Sequence, residues 1–131
     1  MYRPYSIAVE SPVSREIAQG VWTWIVDPSH PLEAVFAERN GKLVGFTHFR
    51  PFPRTLDYNE ACFLDDLYVT ESERGSGLAR QLIENLVRIA RERDWTHVRW
   101  VTTEGNKRAR GLYEKVAENM ELVTYKINAA I

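Results

Sequence analysis

Two adjacent carboxylates, Asp65 and Asp66, stand a short strand's length before a glycine-bearing turn, Arg74-Gly75-Ser76-Gly77-Leu78-Ala79-Arg80. The acids can serve as a general base or a cation site, or one can hold a loop by pairing with an arginine. Perturbed acids only sometimes mark functional sites, so both readings stay open. Neighbours on a strand point to opposite faces, so one carboxylate is expected to face a cleft and the other not. The turn offers an arginine and a run of backbone N–H groups. A helix that opens behind it carries unsatisfied donors and a partial positive charge, which suits a phosphate or pyrophosphate. No Gly-Lys-Ser/Thr follows, so it is not a nucleotide P-loop. Arg80 occupies the third glycine position of a dinucleotide fingerprint, so it is not that either.

A second cluster lies downstream. Asn106 is a good helix N-cap, and Arg110 and Tyr113 follow on that helix. Tyr113 reads from its position as a packing residue with a bonded hydroxyl, and alternatively as a proton donor at the mouth of a cleft. Arg74, Arg80, Lys107, Arg108 and Arg110 are carried near two helix N-termini and together suit a multiply phosphorylated ligand. His30, His48 and His97 are scattered, with no neighbourhood that indicates a metal, and none is expected. Trp22, Trp24, Trp95 and Trp100 read mostly as core, with one a candidate for an oligomer surface.

The elements that position these groups follow from periodicity. Residues 1–10 are a strand or an irregular arm. Ser11-Pro12 starts a helix with Val13, Ile17, Val21, Trp24 and Ile25 as its stripe, stopped at Asp27-Pro28. Strands over 34–39 and 42–49 flank Asn40-Gly41, a strong hairpin signal because both turn residues need positive φ. A loop with Pro51 and Pro53 over 50–59 precedes a strand over 61–69. A long helix over 77–93 carries an apolar stripe of Leu78, Leu82, Leu86 and Ile89, with Glu84 and Arg88 as an outer ion pair. A strand over 95–103, a helix over 107–117 and a last strand over 121–127 complete the order. This is an α/β protein with a mixed sheet flanked by helices, and parallel strands around the long helix put the ligand-binding loops at one edge.

The chain has 131 residues, 44% apolar and 27% charged, which fits one globular domain, 1–131. Its formal net charge of -1 gives no global reason to expect nucleic acid or an anionic membrane as partner. Residues 1–9 lack a signal peptide's apolar run, and no stretch is apolar enough to span a bilayer. Cys62 is the single cysteine, which excludes an internal disulfide and fits a reducing, cytoplasmic setting.

Arg74-Gly75-Ser76-Gly77-Leu78-Ala79 resembles the Arg/Gln-x-x-Gly-x-Gly/Ala signature of the GNAT acetyltransferases, and Leu67-Tyr68-Val69-Thr70 the strand before it. Asn106-Lys107-Arg108-Ala109-Arg110-Gly111-Leu112-Tyr113-Glu114-Lys115 resembles the family's second motif, Asn-x-x-Ala-x-x-Leu-Tyr-Glu-Lys. Two motifs in order, at the usual separation, are far more specific than either alone, and the resemblance spans about 34–127. Residues 64–69 and 100–102 resemble the histone- and polyamine-directed subgroup. Family members open with a strand and a fuller first helix, so here the first strand is absent, altered or supplied otherwise. Asn119-Met120 stands where the family has Gly-Phe.

The resemblance implies the GNAT fold, acetyl-CoA as co-substrate and a small-molecule or peptide amine as acceptor. It implies that the N–H groups of Arg74, Gly75, Ser76, Gly77, Leu78, Ala79 and Arg80 hold the pyrophosphate. The backbone of Leu67, Tyr68 and Val69 would pair with the pantetheine arm, while Asn106, Arg110 and Tyr113 serve the CoA side. Asp65 is then the first candidate base and Asp66 the second, with Tyr113 the acid for the leaving thiolate. Asp57, Glu60, Asp65 and Asp66 favour a cationic acceptor such as a polyamine or lysine-like amine. A homodimer is expected, and in the subgroup a C-terminal strand swaps between subunits. The competing functions are a non-catalytic acyl-CoA-binding domain on the same scaffold and a nucleic-acid-associated module, which the charge balance disfavours.

Overall fold

The computed structural model describes residues 15–130. The expected start of the first helix at Ser11-Pro12, its residue Val13 and the arm over 1–10 lie outside them. The chain falls into two compact units, one ending at Val101 and one beginning at Thr102.

The first unit is built on a four-stranded mixed sheet in the order β1-β2-β3-β4. Helix α1 (Arg15–Val26) leads into β1 (Glu33–Arg39) and β2 (Lys42–Arg54), an antiparallel hairpin. Asn40 and Gly41 turn it with φ of 55° and 77°, the left-handed geometry that a two-residue hairpin requires. β3 (Asn59–Val69) pairs antiparallel with β2. A one-turn 3-10 helix (Glu71–Glu73) then leads to α2 (Leu78–Glu92) and β4 (Val98–Arg99), which runs parallel to β3.

Both faces of the sheet are covered, which is why residues 44–49 of the central strand are all buried. On one face, Leu78 and Leu82 of α2 pack on Val44, with Val35, Ala37, Leu67 and Val69 around them. Gly45 permits this closeness, since a Cβ there would stand 3.2 Å from Leu82 Cδ1 and 3.3 Å from Leu78 Cδ2, as well as 2.9 Å from the Tyr68 carbonyl oxygen on β3. On the other face Phe36, Phe46 and Tyr68 form an aromatic row, and Trp22 of α1 meets Phe36 at a centroid distance of 6.4 Å. The buried side of α1 is centred on Ala18, with Val21, Trp22 and Ile25 partly covered, whereas the expected Ile17 and Trp24 are exposed. None of the four tryptophans is fully buried; Trp24 stacks on His30 at 5.0 Å and Trp95 lies under the Arg93 guanidinium.

Three expectations need correcting in this unit. The loop over 50–59 is instead the far half of a long β2–β3 hairpin, turned at residues 55–58. β1 begins at Glu33 opposite Phe49, so among the described residues Pro51 and Pro53 sit where β2 has β3 as its one strand neighbour, the edge position where proline is tolerated. The strand over 95–103 contracts to Val98–Arg99. The parallel ladder covers only Cys62 and Phe63, and just beyond them β3 carries a bulge, a feature that bends and twists a strand away from its neighbour. On α2, Glu84 pairs back with Arg80 at 3.7 Å and Arg88 pairs with Glu92 at 2.8 Å, in place of Glu84 with Arg88. The helix closes in a Schellman motif, with Asp94 in the left-handed position and Trp95 donating to the Ala90 carbonyl.

The second unit holds α3 (Lys107–Val116), with Ala109, Leu112, Tyr113 and Val116 partly buried as the periodicity predicts. Residues 118–130 contain no strand, and Leu122, Val123, Tyr125 and Ile127 are 69%, 73%, 88% and 95% exposed. The expected strand over 121–127 is therefore absent from the single chain. A strand needs a neighbour to satisfy its backbone, and among the described residues nothing pairs with this segment.

Candidate active site

The two carboxylates share one face of the sheet, contrary to the simple alternation expected for neighbours on a strand. The β2–β3 register runs His48 to Asp66 and then Phe49 to Leu64, so Asp65 is the extra residue of a bulge. His48 and Arg50 are two residues apart on β2 and so lie on one face. His48 Nδ1 meets Asp66 Oδ2 at 3.0 Å, and Arg50 Nε meets Asp65 Oδ2 at 3.0 Å. Arg50 in turn lies over the Phe63 ring, 4.9 Å from its centroid. Asp57 is likewise paired, with Arg54 at 3.3 Å. The negative charge legible in the sequence is therefore offset by an arginine at two of its four positions, Asp57 and Asp65.

From Leu64 to Val69 no strand among the described residues pairs with the β4-facing edge of β3. Leu67, Tyr68 and Val69 belong to this stretch of β3. A chain bearing amide groups could add there as a further strand, which is the geometry of β-augmentation.

The open edge leads into the glycine turn. Gly75 and Gly77 have φ of 83° and 87°, and open space surrounds both Cβ positions, so backbone conformation is what asks for glycine. Arg74 and Ser76 spend their N–H groups on the carbonyls of Glu71 and Glu73, which removes two of the seven expected donors. The Leu78 N–H lies 3.4 Å from Ser76 Oγ. The N–H groups of Gly75, Gly77, Ala79 and Arg80 have no acceptor among the described residues, and the regular helix ladder begins with Gln81 donating to Gly77. The Arg74 side chain is exposed, and Arg80 leans toward Glu84. Arg39, not singled out by its sequence position, grips Glu73 through two 2.9 Å bonds and so pins the turn to the β1–β2 hairpin.

In the second unit Asn106 caps α3, accepting from the Ala109 N–H at 3.3 Å and donating to Thr102 Oγ1 at 3.2 Å. The Arg110 guanidinium folds back on the Glu104 carbonyl at 2.9 Å and on Glu114 at 3.3 Å. Tyr113 is half-buried, and burial raises its phenol above the ordinary value, so it stays protonated through neutral pH.

Two other groups are set by burial. Cys62 is fully buried and its thiol is pushed up to about 12, chiefly by desolvation, which makes it an inert packing residue. His97 is held below the usual imidazole value by burial, with Arg99 and Arg54 adding to the effect. A depression of about 410 Å³ lies between the α1–β1 loop and Pro51, and none of the expected site residues lines it. His48 is the residue that sequence reasoning passed over. Its signal was faint: a histidine inside an apolar strand, brought opposite an acid only by hairpin register.

Residues 2–117 match the family model described as the acetyltransferase (GNAT) family. The D-amino-acid N-acetyltransferase HPA3 of Saccharomyces cerevisiae is 32% identical over 130 residues, spanning 98% of this chain and 81% of the yeast protein. The ribosomal-protein-alanine N-acetyltransferase from Brucella melitensis biovar Abortus 2308 is similar in structure, with a TM-score of 0.79 at 27% identity over 97% of this chain and 91% of its own. The aminoglycoside N-acetyltransferase AAC(6')-Iy, solved in complex with CoA, shares the fold with a TM-score of 0.85 at 17% identity, covering 98% of this chain and 89% of its own. Because the family match runs from before the sheet through both glycine turn and Tyr113, the chain belongs to the GNAT family of acetyltransferases and is an acyltransferase of that family.

Proposed function

We propose that the chain is one N-acetyltransferase domain, 1–131, which moves the acetyl group of acetyl-CoA onto a primary amine of a small molecule or peptide. The observation that carries this reading is an edge of β3 that no strand among the described residues pairs with, running straight into a turn with four N–H groups that find no acceptor among those residues. An amide-bearing arm that ends in a pyrophosphate fits that order of features. The relatives support the acceptor class, since the yeast protein is named for D-amino acids, the Brucella protein for a protein alanine and the third for aminoglycosides. In this reading Leu67, Tyr68 and Val69 pair with the pantetheine. Gly75, Gly77, Ala79 and Arg80 hold the pyrophosphate, while Asn106 and Arg110 support the CoA side.

An alkyl amine titrates near ~10, as lysine does, and arrives as the ammonium. A carboxylate of the Asp65–Asp66 pair takes one N–H proton, directly or through water. The freed nitrogen attacks the thioester carbon, and backbone N–H near Leu67 stabilises the oxyanion. As the C–S bond breaks, Tyr113 protonates the thiolate and recovers the second proton lost by nitrogen. The enzyme works as a cytoplasmic homodimer.

The test is a panel of polyamines, lysine peptides, D- and L-amino acids and aminoglycosides with acetyl-CoA, read as released thiol. Tyr113→Phe should keep CoA binding and lose turnover, most below about pH 8.5, where a thiol prefers its proton. A wild type that binds CoA and releases no amine-dependent thiol with any acceptor overturns the reading in favour of a binding domain.

A further inference from the structure

The two carboxylates differ in how they are held. Asp65 has its Oδ1 and Oδ2 at 3.3 and 3.0 Å from Arg50 Nε, so its charge is matched by a guanidinium, and its side chain is 28% exposed. Asp66 is 57% exposed, yet Oδ2 is bound to a histidine that is 1% exposed. One end of this pair is locked in the core and the other opens outward. A carboxylate only accepts, so His48 Nδ1 carries the hydrogen. The imidazole is enclosed on the central strand, 4.9 Å from the Phe46 ring, and His48 and Asp66 are direct register partners. A buried polar ring in such a strand is costly unless bonded, and its fixed donor gives an otherwise mobile surface aspartate one orientation.

The geometry points to Asp66 as the base that takes the acceptor's proton, and to His48 as the positioning residue that aims it. Asp65, tied to Arg50, holds the bulge that turns both acids to this face. Oδ2 is spent on His48, which leaves Oδ1 for the ammonium or for a bridging water. This rests on the N-acetyltransferase reading and adds a residue to it.

The donor's position makes a sharp test. The amide nitrogen of asparagine hangs from Cγ, as Nδ1 of histidine does, whereas that of glutamine lies one bond further out. With an amine accepted by the wild type, His48→Asn should keep kcat within about threefold and His48→Gln should lose about tenfold. Both should leave the KM for acetyl-CoA unchanged and show similar melting temperatures. Asp66→Asn should lose roughly 10²–10³ in kcat, the scale of general base catalysis, and lose more than Asp65→Asn. Equal activity in the Asn and Gln variants overturns the role of His48. A larger loss in Asp65→Asn than in Asp66→Asn overturns the assignment of the base, and this comparison stands even if the His48 variants do not fold. A wild type inactive on every amine instead defeats the acetyltransferase reading, so the two failures are distinguishable.

Discussion

Cys62 shows how much of a residue's chemistry its surroundings decide. In sequence it is a lone thiol beside apolar residues, while in the fold it is fully buried and pairs with Pro51 across the hairpin. Burial lifts its value from 9.0 to about 12. The folded state therefore keeps a proton that the unfolded chain gives up above about pH 9, so its contribution to stability is present below that pH and is lost as pH rises toward 12. Wild type should lose stability from pH 8 to 10.5 more steeply than Cys62→Ala, as read by urea midpoints, and native Cys62 should resist iodoacetamide. Parallel slopes would contradict this. The acids teach a related lesson. That Asp65 and Asp66 are candidates for chemistry was legible from their type and place. That they share a face was not, because a bulge breaks the period-two rule on which the expectation stood.

At the scale of elements, the glycine turn is tied down by a contact distant in sequence. Arg39 ends β1 and Glu73 ends the 3-10 turn, and their paired bonds tie the glycine turn to the hairpin. Arg39 is about half exposed, so the pair is worth at most ~1 kcal/mol after solvent screening. Arg39→Ala should therefore raise the KM for acetyl-CoA roughly two- to fivefold with kcat unchanged, and the melting temperature should barely move. A fall in kcat at constant KM would show that the contact serves something other than the proposed pyrophosphate site. The glycine turn and α2 were legible because glycine, N-terminus and apolar stripe all act locally. The far half of β2 was not, since Pro51 and Pro53 read as loop until it is known that β1 does not reach them.

At the scale of the whole molecule, the C-terminal segment is the open question that composition poses. Val123, Tyr125 and Ile127 alternate along one face, as in a strand, yet are strongly exposed in the single chain. A second copy would supply the neighbour a strand needs, and that supports the proposed homodimer. Sedimentation should show a dimer for the full chain and a monomer for a variant ending at Ala117. A monomeric full chain at micromolar concentration would remove the argument.

The sequence by itself determined the α/β order, the Asn40-Gly41 hairpin, the glycine turn before α2, the capped helix bearing Tyr113 and, through two motifs, the family. These rest on local propensity and spacing, which short stretches carry. Tertiary structure alone decided which face the carboxylates share, that Arg50 compensates Asp65, that His48 holds Asp66, and where β3 and β4 part. Those features depend on register between distant strands, and a one-residue slip in register exchanges every face.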